Sequence, residues 1–390
     1  MIKTVATGNA DTVLLVLPWS PALPGGVSVV ARNLLRQWDA EGVAARGIVN
    51  VWGASKPLLD SEGNINFRFA MVGALSGLGL VKSLVNFPLR LYRTWQLLRF
   101  FRVKAVNFHY PSLDALGVAV LRSLGLFSGQ LVLSFHGTDV RRPTTYLETH
   151  LWRWLFRMSS SITACSRSLA REVALAYNVE ENSIAVIYNG VDINLFRPEA
   201  TPAIPLVGSP PKPYIVSVGS YIPRKGHSSL LDAFAKVVQR YPSLGLVIVG
   251  MDGPERAKLL ERAEILELGG SVTLLVNAKP PEVAVVVAGA TLCVQSSNAE
   301  PFGLAVIEAG ACGVPVLVTA VGGHVELITD RKNGFLFAVG DVVQCAEKII
   351  YILMHSDITR KISETFRAEI QVKYTWQVCA NTYLQKLGMI

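Results

Sequence analysis

The segment from Asn298 to Glu308, NAEPFGLAVIE, constrains the fold of this chain more than any other stretch. Its Pro-Phe-Gly triplet is typical of a turn, and the apolar run from Leu304 to Cys312 fits an α-helix, so the helix is predicted to begin just after Phe302. The first backbone N–H groups of a helix have no partner within it. Together with the positive end of the helix dipole, they form a suitable place for a phosphate or diphosphate.

This segment also carries two carboxylates with different surroundings. Glu300 is predicted in the loop before the helix, in a position to touch a reacting group, whereas Glu308 lies about one and a half turns inside the helix and would contact something further back. Gly313 and Pro315 close the helix before a buried strand, Val316 to Thr319. An ordinary strand-to-helix turn with two solvated glutamates is the alternative interpretation.

The longer line EPFGLAVIEAGACGVPVLVTAVGG resembles the signature of retaining glycosyltransferases of family 4, the glycosyl transferases group 1, because spacing, helix, strand and diglycine agree. The resemblance implies the α/β fold called GT-B, in which two Rossmann-like, doubly wound parallel-sheet domains face a central cleft. It also implies that Glu308 binds the nucleotide ribose and that Glu300 contacts the donor sugar. The backbone of Phe302, Gly303 and Leu304 would hold the diphosphate.

The chain carries a formal charge of +8, from 37 Lys and Arg residues against 29 Asp and Glu. This balance favours a polyanionic partner, namely nucleic acid, an anionic membrane or a phosphorylated substrate, without choosing among them. A length of 390 residues with 51% hydrophobic residues allows two or three domains with sizeable cores and excludes a disordered chain.

Cysteine spacing and hydropathy indicate the compartment. The five cysteines include no Cys-x-x-Cys pair, so neither a zinc site nor a disulfide framework is indicated. Most of them lie in apolar strand or helix patterns and are predicted to be buried, reduced thiols. The apolar stretch from Val13 to Leu17 is followed at once by Pro18 and reads as a first strand, not a signal peptide. No apolar run reaches membrane-spanning length. We therefore expect a cytoplasmic protein.

A diglycine, Gly25-Gly26, lies where the loop after the first predicted strand enters a helix from Val27 to Trp38. Two glycines there let the backbone approach a ligand without a Cβ in the way. The resemblance implies that this loop reaches towards the donor diphosphate or the acceptor. A plain tight turn explains the two glycines equally well.

A histidine, His136, follows the buried strand in QLVLSFHGTD, just before a turn at Gly137. The carboxyl ends of parallel strands are where open α/β sheets bind ligands. Because similar glycosyltransferases place a histidine here, the resemblance implies that His136 contacts the donor sugar. A histidine that merely caps its strand is the alternative, and His109 is the better candidate for that role.

The tripeptide Arg224-Lys225-Gly226 lies between a predicted strand, Tyr214 to Val218, and a helix. Both cations are therefore predicted at the carboxyl edge of the second sheet, where they would stabilise a departing diphosphate. Ser220 departs from the family, in which many members carry an arginine directly after the glycine equivalent to Gly219. A solvated basic loop is the alternative interpretation of the tripeptide. No Asp-x-Asp metal motif accompanies it, so no obligatory metal is predicted.

Two basic and aromatic stretches raise the question of membrane contact. Leu80 to Arg102 is predicted as a long helix begun or broken near Pro88, and its arginines do not fall on one face. Leu151 to Met158 places Arg153 and Arg157 among aromatic residues. Peripheral contact with an anionic membrane is one interpretation, and arginines whose stems lie on a packed core are the other.

The order of predicted strands and helices divides the chain. We expect an acceptor-side Rossmann-like domain over residues 1–197, a proline-rich linker over 198–213 and a nucleotide-sugar-binding domain over 214–357. A helical tail over 358–390 is expected to return to the first domain, as the resemblance implies.

The function implied by the resemblance is transfer of a sugar from a nucleotide-diphosphate donor, most commonly a UDP-sugar, to an acceptor hydroxyl with retention at the anomeric carbon. A saccharide or lipid-linked acceptor in polysaccharide, lipopolysaccharide or glycolipid biosynthesis suits the basic first domain. No cofactor beyond the nucleotide-sugar co-substrate is expected. A GT-B epimerase or phosphorylase is the alternative within the fold, and a non-catalytic nucleic-acid- or membrane-binding module is the alternative of another class.

Overall fold

The computed structural model describes residues 11–50, 58–59, 64–69, 77–199 and 213–390. Most of the predicted linker lies outside these ranges. The chain divides into two compact units, of which the first comprises residues 1–188 and 376–390 and the second residues 189–375.

Over its described residues, the first unit is built on an eight-stranded sheet with the order β3-β4-β2-β1-β5-β6-β7-β8. All neighbouring strands are parallel except β3 and β4. The strands are β1 (Thr12–Leu17), β2 (Ala45–Asn50), β3 (Leu58–Leu59), β4 (Ile65–Phe67), β5 (Val103–His109), β6 (Gln130–Phe135), β7 (Ser161–Ala164) and β8 (Ile184–Val186). Every residue of β1 is buried, as expected for a strand covered on both faces.

Five of the helices in the described part of this unit are, in chain order, α1 (Gly26–Ala40), α2 (Gly77–Phe100), α3 (Leu116–Ser123), α4 (Tyr146–Met158) and α5 (Arg167–Tyr177). Helix α2 corrects one prediction, because it runs through Pro88 without ending there. Its carboxyl half packs Thr94, Leu97 and Leu98 into the core, which stabilises the helix despite the N–H that proline lacks.

The second unit contains, over its described residues, a six-stranded parallel sheet with the order β11-β10-β9-β12-β13-β14. The strands are β9 (Tyr214–Val218), β10 (Gly245–Gly250), β11 (Val272–Val276), β12 (Leu292–Gln295), β13 (Val316–Thr319) and β14 (Phe335–Phe337). The helices are α6 (His227–Val238), α7 (Glu255–Ile265), α8 (Pro280–Ala288), α9 (Leu304–Ala311), α10 (His324–Leu327), α11 (Val342–Met354) and α12 (Ser356–Lys373). The predicted strands at 214–218, 272–276 and 316–319 are confirmed.

The last helix, α13 (Trp376–Lys386), belongs to the first unit. Its Ala380 carbonyl accepts a hydrogen bond of 3.2 Å from the buried indole Nε1 of Trp38 in α1. Helix α12 instead packs on α9 of the second unit, where Phe366 and Ile370 leave no room for a side chain at Gly310. The chain therefore re-enters the first unit at Trp376.

Both sheets reverse their strand order at one point, between β1 and β5 in the first and between β9 and β12 in the second. At such a reversal the loops that leave the two strands diverge to opposite sides and open a crevice at the carboxyl edge. Ligands of open α/β sheets bind in this crevice.

Candidate active site

A buried ion pair lies at the reversal point of the second sheet. The Lys225 Nζ, from the loop after β9, donates to the Glu300 Oε2, from the loop after β12, at 2.7 Å. Their side chains are only 16% and 13% exposed. Gly219 makes room for this arrangement, since a Cβ there would lie 3.0 to 3.1 Å from the stem of Lys225. The sequence predicted both residues at this edge, and the fold brings them into contact.

The backbone and side chain of Asn298 tie these two loops together. Its backbone N–H donates to the Arg224 carbonyl at 2.8 Å and its side-chain amide donates to the Pro223 carbonyl at 3.2 Å. On the same side, the Ser296 hydroxyl donates to the Gly226 carbonyl at 2.9 Å. These bonds fix the separation of the ammonium and the carboxylate, so the pair is preorganised by backbone contacts.

Electrostatics keeps Glu300 ionised despite its burial. Burial raises the pKa of this carboxyl, but attraction to Lys225, with smaller contributions from His324, the Lys225 hydrogen bond and Arg224, outweighs burial and leaves the pKa below its ordinary value. The site therefore holds a carboxylate beside an ammonium. A carboxylate accepts hydrogen bonds from hydroxyl groups, and the two cations attract a polyanion.

Helix α9 begins beside this ion pair. Gly303 is its N-cap residue, no side chain caps it, and the first intrahelical bond runs from the Val306 N–H to the Gly303 carbonyl at 3.0 Å. The amides of Leu304 and Ala305 precede that bond, as predicted for an anion-binding helix terminus. Glu308 is partly buried one turn further on, and burial raises the pKa of its carboxyl to about 7, with Lys225 opposing the rise.

A diglycine after β13, Gly322-Gly323, supports the loop that carries Glu300. The Gly323 N–H donates to the Glu300 carbonyl at 2.8 Å. A Cβ at Gly323 would lie 2.4 Å from the Phe302 Cα, so only glycine allows this approach. The diglycine ends the segment that resembles the family signature, and its supporting role becomes visible only in the fold.

His324, which follows the diglycine, is a site residue that sequence reasoning missed. Its side chain is 1% exposed, and its Nδ1 donates to the Thr319 carbonyl at 3.0 Å. The ring packs beneath the first turn of α9, with Cδ2 close to Gly303. Burial lowers the pKa of this imidazole, although Glu300 raises it in part. A histidine directly after a diglycine was the available signal.

The carboxyl edge of the first sheet carries the other predicted site residues. Gly25 is the N-cap residue of α1 and Gly26 its first residue, without a side-chain cap. His136 follows β6, and its Nε2 lies 2.8 Å from the His109 Nδ1. Phenol and hydroxyl groups also meet at this edge, where the Tyr110 oxygen lies 2.7 Å from the Thr138 Oγ1.

Asp139 shapes the turn after His136, a role that sequence reasoning missed. Its buried carboxylate accepts hydrogen bonds from the His136 N–H at 3.0 Å and from the Gly137 N–H at 2.6 Å. Burial raises the pKa of this carboxyl to about 6, although these bonds lower it in part. An aspartate three residues after the histidine was the signal for such a turn.

The predicted site residues thus form two groups. In the second unit, the ion pair, Arg224, the first turn of α9 and Glu308 belong to one edge of one sheet. In the first unit, His136 and the diglycine Gly25-Gly26 belong to the corresponding edge. No cluster of three or more His, Cys, Asp or Glu side chains that could hold a metal occurs within the described ranges.

Two family models match the chain. The model described as "Glycosyltransferase Family 4" matches residues 24–195, and the model described as "Glycosyl transferases group 1" matches residues 207–368. The second match contains the Lys225–Glu300 pair and helix α9. The two matches together cover most of the sequence.

Curated proteins give related matches. The chain is 29% identical over 261 residues to an N-acetyl-alpha-D-glucosaminyl L-malate synthase of Bacillus anthracis. The aligned residues make up 65% of this chain and 66% of that protein, just under two thirds of its length. It is 27% identical over 330 residues to a D-inositol 3-phosphate glycosyltransferase of Segniliparus rotundus, and the alignment covers 80% of this chain and 73% of that protein.

Solved structures share the fold. Anabaena Alr3699/HepE in complex with UDP and glucose superposes with a TM-score of 0.73 at 20% identity, covering 98% of this chain and 100% of that one. A sucrose-phosphate synthase from Thermosynechococcus elongatus superposes with a TM-score of 0.72 at 22% identity, covering 96% of this chain and 98% of that one. With both family models matched and this fold shared along the chain, the protein belongs to the group 1 glycosyltransferases and has the GT-B fold.

Proposed function

We propose that this enzyme is a retaining, hexosyltransferase-type glycosyltransferase that moves a sugar from a UDP-sugar to an acceptor hydroxyl. The observation that carries the proposal is the Lys225–Glu300 ion pair beside the uncapped first turn of α9. UDP and UDP-glucose are bound by Anabaena Alr3699/HepE, which has the same fold. We further propose that residues 214–357 bind the nucleotide sugar and residues 1–197 the acceptor.

Each predicted site residue has a proposed role, beginning with those of the second unit. Glu300 orients the hydroxyls of the donor sugar, and Glu308 accepts hydrogen bonds from the nucleotide ribose. The backbone amides of Phe302, Gly303 and Leu304 hold the diphosphate at the positive end of the helix. In the first unit, His136 contacts the donor sugar, and the Gly25-Gly26 loop lies against the diphosphate or the acceptor.

The chemistry depends on charge that develops as the sugar leaves. Cleavage of the bond between the anomeric carbon and the diphosphate oxygen places negative charge on the leaving group, and Lys225 and Arg224 bind that charge more tightly in the transition state than in the ground state. We propose that these cations and the helix terminus suffice without an obligatory metal. Arg224 would supply the charge that Ser220 lacks.

The experiment that tests the proposal measures sugar transfer with and without EDTA. UDP-glucose, GDP-mannose and ADP-glucose are each incubated with a panel of saccharide and glycolipid acceptors, and the anomeric configuration of the product is determined by NMR. A retained configuration with one donor, unchanged by EDTA, is the expected result. Formation of a sugar phosphate or an epimerised nucleotide sugar would support the phosphorylase or epimerase instead. Retention of the chain on RNA or DNA without donor turnover would support a binding module.

Donor affinity is expected to rise with pH. Because burial raises the pKa of Glu308 to about 7, this carboxyl is largely protonated at pH 6 and largely ionised at pH 8. An ionised carboxylate accepts ribose hydrogen bonds more strongly than a neutral acid. The dissociation constant of UDP-glucose should therefore fall by up to about tenfold between pH 6 and 8. Isothermal calorimetry measures this dissociation constant. UDP-glucose itself neither gains nor loses a proton between pH 6 and 8.

Glu308→Gln is the matched variant for this measurement, since it keeps the shape and removes the titration. Its UDP-glucose affinity should be low and independent of pH. An equal pH dependence in the variant and the native chain would contradict the assignment of Glu308 to the ribose.

An anionic membrane is the proposed partner of the first unit, which would contact it peripherally. Helix α2 exposes Val85, Leu89 and Tyr92, with 74%, 51% and 53% of each residue accessible. Their spacing of four and three residues places them on one face, and Arg93 and Arg99 are also exposed on this helix. No helix in the described part of the chain is both long and apolar enough to cross a bilayer.

Vesicle sedimentation tests this contact. The native chain should co-sediment with phosphatidylserine-containing vesicles at moderate salt, and L89D/Y92D should bind at least about tenfold more weakly, because burying one large apolar side chain contributes about 1.5–3 kcal/mol. Leu175→Asp, which changes a 70% exposed leucine on α5, is the matched control. Failure of the native chain to sediment would rule out the membrane contact.

A further inference from the structure

A chain of polar side chains crosses three strands of the first sheet and ends at His136. The Thr163 hydroxyl donates to the Ser134 Oγ at 2.9 Å, and the Ser134 hydroxyl donates to the Asn107 Oδ1 at 2.7 Å. The Asn107 Nδ2 lies 2.9 Å from the His109 Nε2, and the His109 Nδ1 lies 2.8 Å from the His136 Nε2. All but His136 are at most 1% exposed.

The two imidazoles at the end of this series of hydrogen-bonded side chains, His109 and His136, are neutral. Burial lowers the pKa of His136 to about 4, and burial, with repulsion from His136, lowers the pKa of His109 well below its ordinary value. Their ring centroids lie 5.0 Å apart, with an angle of 17° between the ring planes. Tyr383 of α13 packs on the His109 ring, with the two ring centroids 5.5 Å apart. A neutral imidazole has one N–H donor and one acceptor, so each ring has a defined polarity.

The hydrogen bond from Ser134 to the Asn107 Oδ1 sets that polarity. Because Asn107 accepts through Oδ1, its Nδ2 faces His109 and donates to the His109 Nε2. The proton of neutral His109 is then on Nδ1, where it donates to the His136 Nε2. The proton of neutral His136 is consequently on its own Nδ1. None of the described residues provides a hydrogen-bond partner for that Nδ1–H.

We propose that Asn107 and His109 are positioning residues that hold His136 in the Nδ1–H tautomer, so that it donates a hydrogen bond to an oxygen of the donor sugar. A hydroxyl can accept from this N–H, and the opposite tautomer would present only a lone pair. The assignment of the sugar as partner rests on the proposed function. The tautomer of His136 depends only on the side chains of the first unit.

Side-chain ¹⁵N NMR of the full-length chain tests the tautomer directly. Neutral His109 and His136 should each show a protonated Nδ1 and an unprotonated Nε2, with His136→Gln used for assignment. A protonated Nε2 on His136 would overturn the inference. UDP-glucose should then shift the His136 Nδ1 resonance. A correct tautomer without such a shift would refute the donor contact while leaving the hydrogen-bond chain intact, which separates failure of the inference from failure of the proposed function.

Asn107→Ala tests the positioning role. Without the amide donor, His109 has no preferred tautomer, so the His136 ¹⁵N shifts should move towards a mixture and KM for UDP-glucose should rise about three- to tenfold with a smaller change in kcat. Asn33→Ala, which removes a side-chain amide bonded to the Val29 carbonyl in α1, is the control. Unchanged ¹⁵N shifts in a folded Asn107→Ala would overturn the proposal, whatever its activity.

Discussion

Lys225→Ala is expected to lower kcat/KM for the UDP-sugar by about 100- to 1,000-fold, the usual effect of removing one preorganised group that stabilises developing charge. The ammonium lies 2.7 Å from Glu300 and is only 16% exposed, so water replaces it poorly. Steady-state kinetics with the best donor gives the ratio. Calorimetric titration of UDP-glucose shows how much of the loss is already present in the ground state.

The same variant leaves Glu300 without its principal partner. Burial then dominates, so the pKa of this carboxyl should rise above its ordinary value, and the free energy of unfolding at neutral pH should fall by about 3 kcal/mol. Lys258→Ala is the matched control, since it removes a lysine whose side chain is 69% exposed from an ion pair with Glu255 on α7. Comparable turnover by Lys225→Ala and the control would contradict the role given to Lys225.

Gly323→Ala is expected to weaken UDP-glucose binding and to lower kcat/KM for the UDP-sugar about 100-fold, because displacement of a reacting group by about 1 Å has effects of that size on the rate. The new Cβ would lie 2.4 Å from both the Cα and the carbonyl oxygen of Phe302, and backbone atoms cannot rotate away. The loop carrying Glu300 and the first turn of α9 must therefore move. Calorimetry measures the affinity, and chemical denaturation should show a loss of about 1–3 kcal/mol in unfolding free energy.

Gly269→Ala is the control for this substitution. It makes the same chemical change in the same unit at a glycine where a Cβ would meet nothing within 4 Å. Its donor affinity should match that of the native chain. Native affinity in Gly323→Ala would show that the contact between the diglycine and Phe302 does not position the site.

Much of the fold could be predicted because its strands are continuous apolar runs between turn residues, and β9, β11 and β13 lie where the sequence placed them. Pro88 misled the prediction because the local cost of proline was weighed without the buried residues that follow it in α2. The prediction that most of the cysteines are buried thiols is confirmed, since all five are free and buried.

The site was predictable only where a residue type and its chain position together imply a chemistry. Glu300 and Lys225 met that condition, but their 2.7 Å contact is between residues 75 positions apart and required the tertiary fold. His324 and Asp139 act through neighbouring backbone groups, so their positions beside a diglycine and after a histidine indicate a turn but do not by themselves imply a chemistry. The sequence makes His109 a candidate strand cap, and its bond to His136 arises only because β5 and β6 are adjacent.

The position of α13 has a consequence for how the protein is made. The second unit is one continuous stretch, whereas the first needs Trp376 to Lys386 to cover α1 and accept the hydrogen bond from Trp38. During synthesis, the first unit therefore cannot complete its core until α13, which is translated after the whole second unit, has been made. The second unit can complete its core earlier, which reverses the usual amino-to-carboxyl order of domain folding.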